Sequence, residues 1–245
     1  MENLNSMNIK DKLTIVIPCF NEENYIERTI NSIVRQLNIS GTRIIIADGF
    51  SKDKTRAKII SLRELYKDII KIELVNGGKV AYARNYGASL VKTKYILFLD
   101  ADSVLFDIRT IDKCLYTMQH NKLHLLTCNI KSVTNDIRAI LSFKLFNFVN
   151  KLMSNVTPFA IGGFFMTRTD KFKDYGGFDE SLNNSEDFWL SRKYDRKKFK
   201  IAKFYYGQDD RRFKKMGYFG MIKLLILSFI HRNNVEHFKK DVGYW

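Results

Sequence analysis

Proline is scarce in this chain of 245 residues, which holds only two, Pro18 and Pro158. No Pro- or Ser/Gly-rich stretch divides it, so composition marks no interdomain linker. Its three cysteines, Cys19, Cys114 and Cys128, are odd in number and widely spaced. That excludes a disulfide framework and any cysteine metal-ligand pattern, and it fits a reducing compartment. Acidic residues are also few: 26 Asp plus Glu against 41 Lys plus Arg, a net charge of +15. Such an excess favours phosphate-bearing ligands or an anionic surface as well as solubility. No apolar run approaches the roughly 20 residues of a spanning helix. The most apolar stretch, Phe219 to Ile230, is interrupted by Lys223. The polar start, Met1 to Lys12, does not read as a signal peptide, so a cytoplasmic location is expected. No internal repeat is visible.

With 45% hydrophobic and 13% aromatic residues, the chain can bury a large core. Apolar runs at Leu13 to Ile17, Arg43 to Ala47, Ile69 to Val75 and Tyr95 to Leu99 read as strands. Between them Glu22 to Leu37, Asp53 to Tyr66 and Val80 to Val91 have helical spacing. This alternation predicts an α/β fold whose central sheet is mostly parallel, with helices on both faces. Ligands of such sheets bind beyond the carboxyl ends of the strands. Acidic and polar residues gather there: Pro18-Cys19-Phe20-Asn21-Glu22-Glu23, then Asp48-Gly49-Phe50-Ser51-Lys52-Asp53, then Asp100-Ala101-Asp102. Taken singly, Asn21 and Asp53 read equally well as helix caps. Two carboxylates two residues apart after a buried strand call for a compensating cation, and a hard divalent metal shared with phosphates suits them.

These segments together resemble the family 2 glycosyltransferases, whose nucleotide-sugar-binding fold is called GT-A. Ile15 to Glu23 is similar to the family's opening motif and Ala47 to Thr55 to its second. Ala83-Arg84-Asn85-Tyr86-Gly87-Ala88 resembles the Arg-Asn-x-Gly element, and Leu97 to Asp102 the metal-binding Asp-x-Asp. Further on, Gly162-Gly163-Phe164-Phe165-Met166, Gly176 to Glu180 and Ser185-Glu186-Asp187-Phe188-Trp189-Leu190 resemble the acceptor-side glycine strand, its turn and the Glu-Asp motif. Arg211-Arg212-Phe213 resembles a basic element near the end of the core. The likeness covers roughly residues 12 to 215. It departs from the pattern at Phe50, where glycine is more usual, and at Lys52. The processive Gln-x-x-Arg-Trp element is only echoed around Gln208, so synthesis of a long exported polymer is not expected.

The resemblance implies a GT-A-like, Rossmann-like donor half at about 12–105 and an acceptor half at about 106–215, followed by a helical extension at 216–245. It implies a metal-dependent, inverting, non-processive glycosyltransferase acting from a nucleotide-diphosphate sugar, with UDP-sugar favoured. Mn²⁺ or Mg²⁺ would sit on Asp102 and Asp100. Pro18, Phe20, Glu22, Asp48, Arg84, Asp100 and Ala101 would bind the nucleotide sugar. Asp187 would be the catalytic base, and Gly162, Gly163, Glu186, Trp189, Arg211 and Arg212 would face the acceptor, a glycan or a lipid-linked glycan. By itself, Glu186-Asp187 also reads as an acidic helix start, and Arg84 as a surface arginine. A noncatalytic nucleotide-sugar-binding protein of the same fold stays open. No nucleic-acid partner is expected, because the lysines are spread and no nucleic-acid-binding signature occurs.

Asp136 to Met153 and Gly217 to Ile230 read as basic, aromatic-rich helices. They suit peripheral contact with the inner face of a membrane, or a core or oligomer contact. The sugar, the linkage and the oligomeric state are not written in the sequence.

Overall fold

The computed structural model describes residues 8–218, 220, 223, 227 and 230–239. Seven elements follow the expected alternation: β1 (Leu13–Cys19), α1 (Ile26–Val34), β2 (Arg43–Asp48), α2 (Thr55–Leu65), β3 (Lys71–Asn76), α3 (Val80–Ser89) and β4 (Tyr95–Leu99). Next come β5 (Val104–Leu105), α4 (Thr110–His120), β6 (Leu125–Ser132), α5 (Ile137–Met153), β7 (Phe164–Arg168), α6 (Thr169–Asp174), α7 (Glu186–Ser191), β8 (Phe199–Gln208) and α8 (Arg211–Met216). A short helix, Val235–Lys239, lies near the end. The helix expected over Gly217 to Ile230 lies largely outside the described residues.

The eight strands among the described residues form one sheet in the order β3-β2-β1-β4-β7-β6-β8-β5. The first four are parallel, β7 runs against both β4 and β6, and β8 returns parallel to β6. The fold is thus α/β with a mixed, mostly parallel sheet, and both sequence halves contribute to it. Strand alternation sorts the core onto its two faces. Ile15 and Ile17 of β1 join Leu97 and Leu99 of β4 under α1, packed with Ile26, Ile30 and Ile33. On the opposite face Val16, Ile96 and Phe98 pack with Ala81 and Ala88 of α3. Burying each such side chain stabilises by roughly 1.5–3 kcal/mol. Gly87 lets α3 sit against β1, since a Cβ there would come within 2.5 Å of Val16 Cγ1.

Register brings the polar loops to one edge. Cys19 pairs with Asp48 and Asp48 with Asn76, so three strands end level. Leu99 pairs with Phe164 in the antiparallel β4–β7 ladder, so Asp100 leaves the sheet where Gly162 and Gly163 enter it. The helix read at Glu22 to Leu37 is shorter than its periodicity suggests. Residues 21–25 are held instead by the neighbouring loop, as described next.

Candidate functional site

Many of the motif residues turn out to hold one another. Asn21, with φ 53°, receives a bond from Lys52 N at 2.9 Å, while its own N–H donates to Ser51 Oγ. Glu22 N donates to Thr55 Oγ1 at 2.7 Å, Glu23 N to Asp53 Oδ2, and Lys54 N to Glu23 Oε2. The loops after β1 and β2 are therefore zipped together. Asp48 is fully buried and accepts from Ser51 N, Ser51 Oγ and Arg56 Nη1. It shapes this loop and leaves Gly49 to line the cleft.

The Arg-Asn-x-Gly element is likewise a scaffold. Asn85 clamps the turn at Phe178, donating to its carbonyl at 2.8 Å and accepting from its N–H at 2.9 Å. Arg84 is expected to reach a diphosphate, and here the structure departs from the sequence reading. The residue is 2% exposed. One arm donates to Asp100 Oδ1 at 2.7 Å and the other to Glu186 Oε1, with the guanidinium over the Phe178 ring. A buried fork-shaped cation between two carboxylates satisfies both acids. Both of its arms are thereby committed to the protein's own acids. Gly162 supplies the room, since a Cβ there would meet Arg84 Nη2 at 2.5 Å.

A cleft of about 210 Å³ opens at the strand ends. Its walls include Pro18, Phe20, Glu22, Asp100, Ala101, Asp102, Arg211 and Arg212 of the expected residues. Arg211 donates to both oxygens of Glu22, at 2.7 and 2.5 Å, and lies over the Tyr25 ring. Burial pushes the Glu22 carboxyl up to about 7, with Arg211 pulling the other way. The same guanidinium lies 3.0 Å from Asp102 Oδ2, yet that buried oxygen accepts no hydrogen bond. The pair is in Coulombic reach without bonding geometry. Burial raises the Asp102 carboxyl as well.

Among the described residues no cluster of three or more His, Cys, Asp or Glu side chains could cage a metal ion. A pair of carboxylates opening on a cleft, one with an unbonded oxygen, nevertheless fits a hard divalent cation that takes its remaining ligands from phosphates and water.

Later in the chain, Ser185 adopts φ 58° and α7 begins at Glu186. Asp187, half-buried, accepts from Gly162 N at 2.7 Å and Phe188 N at 2.7 Å. Burial, then the neighbouring Glu186 charge, pushes its carboxyl up to about 6 against the pull of Arg84. Gly163 sits against Tyr206, whose hydroxyl would lie 2.6 Å from a Cβ. Trp189 packs edge-on to Phe188 and Phe238, beneath the Arg192 guanidinium. Asp187, Gly162, Gly163, Glu186 and Trp189 are not among the residues lining the cleft. The first two meet through their hydrogen bond, and Glu186 reaches the rim through Arg84.

Sequence reasoning misses Gly78, Lys79, Val80, Ala83, Leu182 and Asn183, all of which line the cleft. Lys79 Nζ donates to Asn183 Oδ1 at 3.1 Å. The strand-end rule was the available signal: Gly77-Gly78-Lys79 follows β3 just as the acidic loops follow β1, β2 and β4.

Residues 14–176 match the family described as glycosyl transferase family 2. The chain belongs to that family. Among curated relatives, this family 2 chain is 27% identical over 113 residues to the poly(ribitol-phosphate) beta-N-acetylglucosaminyltransferase TarP of Staphylococcus aureus (strain N315), covering 45% of the chain and 34% of TarP. It thus spans about a third of that relative's length. Among solved structures, S. aureus TarS 1–349 in complex with UDP-GlcNAc superposes with TM-score 0.61 at 18% identity, over 81% of this chain and 58% of that one. The mannosyltransferase PcManGT from Pyrobaculum calidifontis, in complex with GDP-Man and Mn²⁺, superposes with TM-score 0.67 at 17% identity, over 83% and 58%. Both likenesses place the family 2 chain in the GT-A fold. No helix among its described residues is long and apolar enough to cross a membrane.

Proposed function

We propose that this chain transfers a sugar, with inversion, from a nucleotide-diphosphate sugar to a hydroxyl of a cell-surface or lipid-linked glycan, with UDP as the favoured nucleotide. The observation that carries this reading is Arg84, which ties Asp100 at the cleft to Glu186, the neighbour of Asp187. One buried cation thereby joins a donor-side acid pair to a base-side carboxylate.

In the proposed reaction the acceptor oxygen attacks the anomeric carbon and gives its proton to Asp187. The bond from that carbon to the diphosphate oxygen breaks, and its electron pair leaves with the diphosphate. A base in hydrogen-bond reach contributes typically 10²–10⁴-fold. The Gly162 N–H on Asp187 Oδ2 orients the carboxylate without neutralising it. Arg211, Arg212 and Lys79 on the cleft wall face the departing negative charge. Mn²⁺ or Mg²⁺ would be held by Asp102 with Asp100 nearby, and would supply Lewis acidity to the leaving group. Phe20 and Pro18 would frame the nucleobase. Residues 12–105 would serve as the donor half, 106–215 as the acceptor half and 216–245 as an extension.

Relatives support this substrate class by name. TarP is named for poly(ribitol-phosphate) and N-acetylglucosamine, and the solved neighbours hold UDP-GlcNAc or GDP-Man with Mn²⁺.

The test is thermal stability of the chain with UDP, GDP, TDP or CMP, each with Mn²⁺, Mg²⁺ or EDTA, followed by donor turnover with the nucleotide that binds. A ligand that binds only the folded state raises the midpoint. A metal-dependent shift with one nucleotide and release of its sugar are expected. Absence of any shift defeats the reading, and a shift without turnover leaves a noncatalytic nucleotide-sugar binder.

A further inference from the structure

The helix α5 is apolar on the side that faces away from the protein. Its inner side is well anchored: Ala139, Phe143 and Asn150 are buried, Phe143 meets Phe213 edge-on at 5.2 Å, and Asn147 bonds both the N–H and the carbonyl of Ile130. Its outer side presents Ile137, Leu141, Leu145, Phe148 and Leu152, each 54% to 62% exposed. Steps of four, four, three and four residues put them on one stripe. A helix that is apolar all round is normally buried, so this face calls for an occupant.

Charge identifies the occupant. At 100° per residue, exposed Lys144 and Lys151 flank the stripe on one side, and Arg138, paired with Asp136, lies on the other. No Asp or Glu occurs between Asp136 and Asp170. A second copy laid on this face would set cations against cations, within a chain of net charge +15. An anionic lipid surface matches both features, apolar side chains entering the acyl boundary and cations meeting the headgroups.

The stripe ends beside α7. There Leu152, Met153 and Val156 of the α5 end wall a hollow of about 320 Å³ with Phe188, the residue after Asp187, and Arg192. The Arg192 guanidinium lies 5.4 Å from the Phe188 ring.

We propose that α5 docks this protein on an anionic phospholipid bilayer through the stripe from Ile137 to Leu152, with Lys144 and Lys151 on the headgroups. The docking is independent of the transfer reaction. It brings the bilayer surface next to the helix that carries Asp187.

Flotation of the full chain with phosphatidylcholine vesicles, with and without phosphatidylglycerol, tests the proposal. The protein should float with the anionic vesicles and far less with the neutral ones. Leu145→Glu combined with Phe148→Glu should lower the bound fraction about tenfold at unchanged thermal midpoint, because both side chains point away from the core. Lys144→Gln with Lys151→Gln, which leaves the apolar face intact, should weaken binding to anionic vesicles only. Failure to float, or equal flotation of the double Glu variant, overturns the proposal. So does a dimer in sedimentation that the double Glu variant dissociates, because a second copy would then cover the face.

Discussion

The backbone N–H of Gly162 donates to Asp187 Oδ2 at 2.7 Å, which fixes one oxygen of a carboxylate whose proton affinity burial has raised. In Asp187→Asn the amide oxygen can still accept that bond, while the bond from Phe188 N to the other oxygen is lost, so the fold should survive at a modest cost. Sugar transfer should fall about 10²–10⁴-fold while the nucleotide-induced thermal shift stays. Since a general base works ionised and the Asp187 carboxyl is pushed up to about 6, kcat/KM should drop as pH falls through that value. Stability moves the opposite way. A carboxyl whose folded pKa lies above its unfolded one stabilises the fold when protonated and loses that contribution as pH rises through about 6. Relative to wild type, the melting temperature of Asp187→Asn should therefore be higher at pH 8 than near pH 3, below the ordinary carboxyl value of 3.8. A variant with wild-type transfer would remove the base assignment.

Removing Arg84 leaves Asp100 and Glu186 in a buried site without their shared cation. Arg84→Ala should cost about 3–5 kcal/mol, the range for breaking a buried pair from one side. Denaturant unfolding measures it. Arg84→Lys should recover only part, because one ammonium cannot span two carboxylates as the fork does. Full recovery by lysine would mean that charge alone matters at this position.

Much of this architecture is legible in the sequence because local and global signals agree. The apolar runs of β1 to β4 alternate between two cores, and the helix read over Asp136 to Met153 returns as α5, with Asp136 as its cap accepting from Arg138 N. The antiparallel β7 is not legible. Phe164 to Arg168 is an apolar run like the others, and its direction is set only by pairing with β4 and β6. Site residues divide in a similar way. Asp100, Ala101 and Asp102 announce themselves at a strand end, whereas the fate of Arg84 depends on Glu186, 102 positions away. Long-range partners of that kind decide whether a motif residue faces a ligand or its own fold.

Arg211 faces two acids, Glu22 through paired bonds and Asp102 through charge. Arg211→Gln should weaken binding of a nucleoside diphosphate about tenfold or more, since charge-assisted contacts to phosphate are among the stronger ones. It should also leave Glu22 more readily protonated at neutral pH, because Arg211 is what opposes the effect of burial there. EDTA, or Asp102→Asn, should abolish the nucleotide-dependent thermal shift altogether. Titration calorimetry with and without Mn²⁺ separates the two effects. Equal nucleotide affinity in EDTA would exclude Asp102 as a required metal ligand.

Phe50 is held at φ 64° and is 63% exposed. Left-handed backbone costs a side-chain-bearing L-residue roughly 1–2 kcal/mol, and this exposed ring buries too little to repay it. Glycine removes the cost but adds freedom to the unfolded chain, worth about 0.5–1 kcal/mol. The difference predicts that Phe50→Gly stabilises by about 0.5–1 kcal/mol, readable as a shift in the denaturant midpoint at unchanged slope. The departure from the family pattern noted at this position thus has a backbone explanation. Because Gly49, the neighbour of Phe50, lines the cleft, nucleotide affinity in the same variant decides what the phenylalanine does. Unchanged affinity with a gain in stability marks the ring as tolerated strain. A loss of affinity shows that the strained loop holds its aromatic side chain against the ligand.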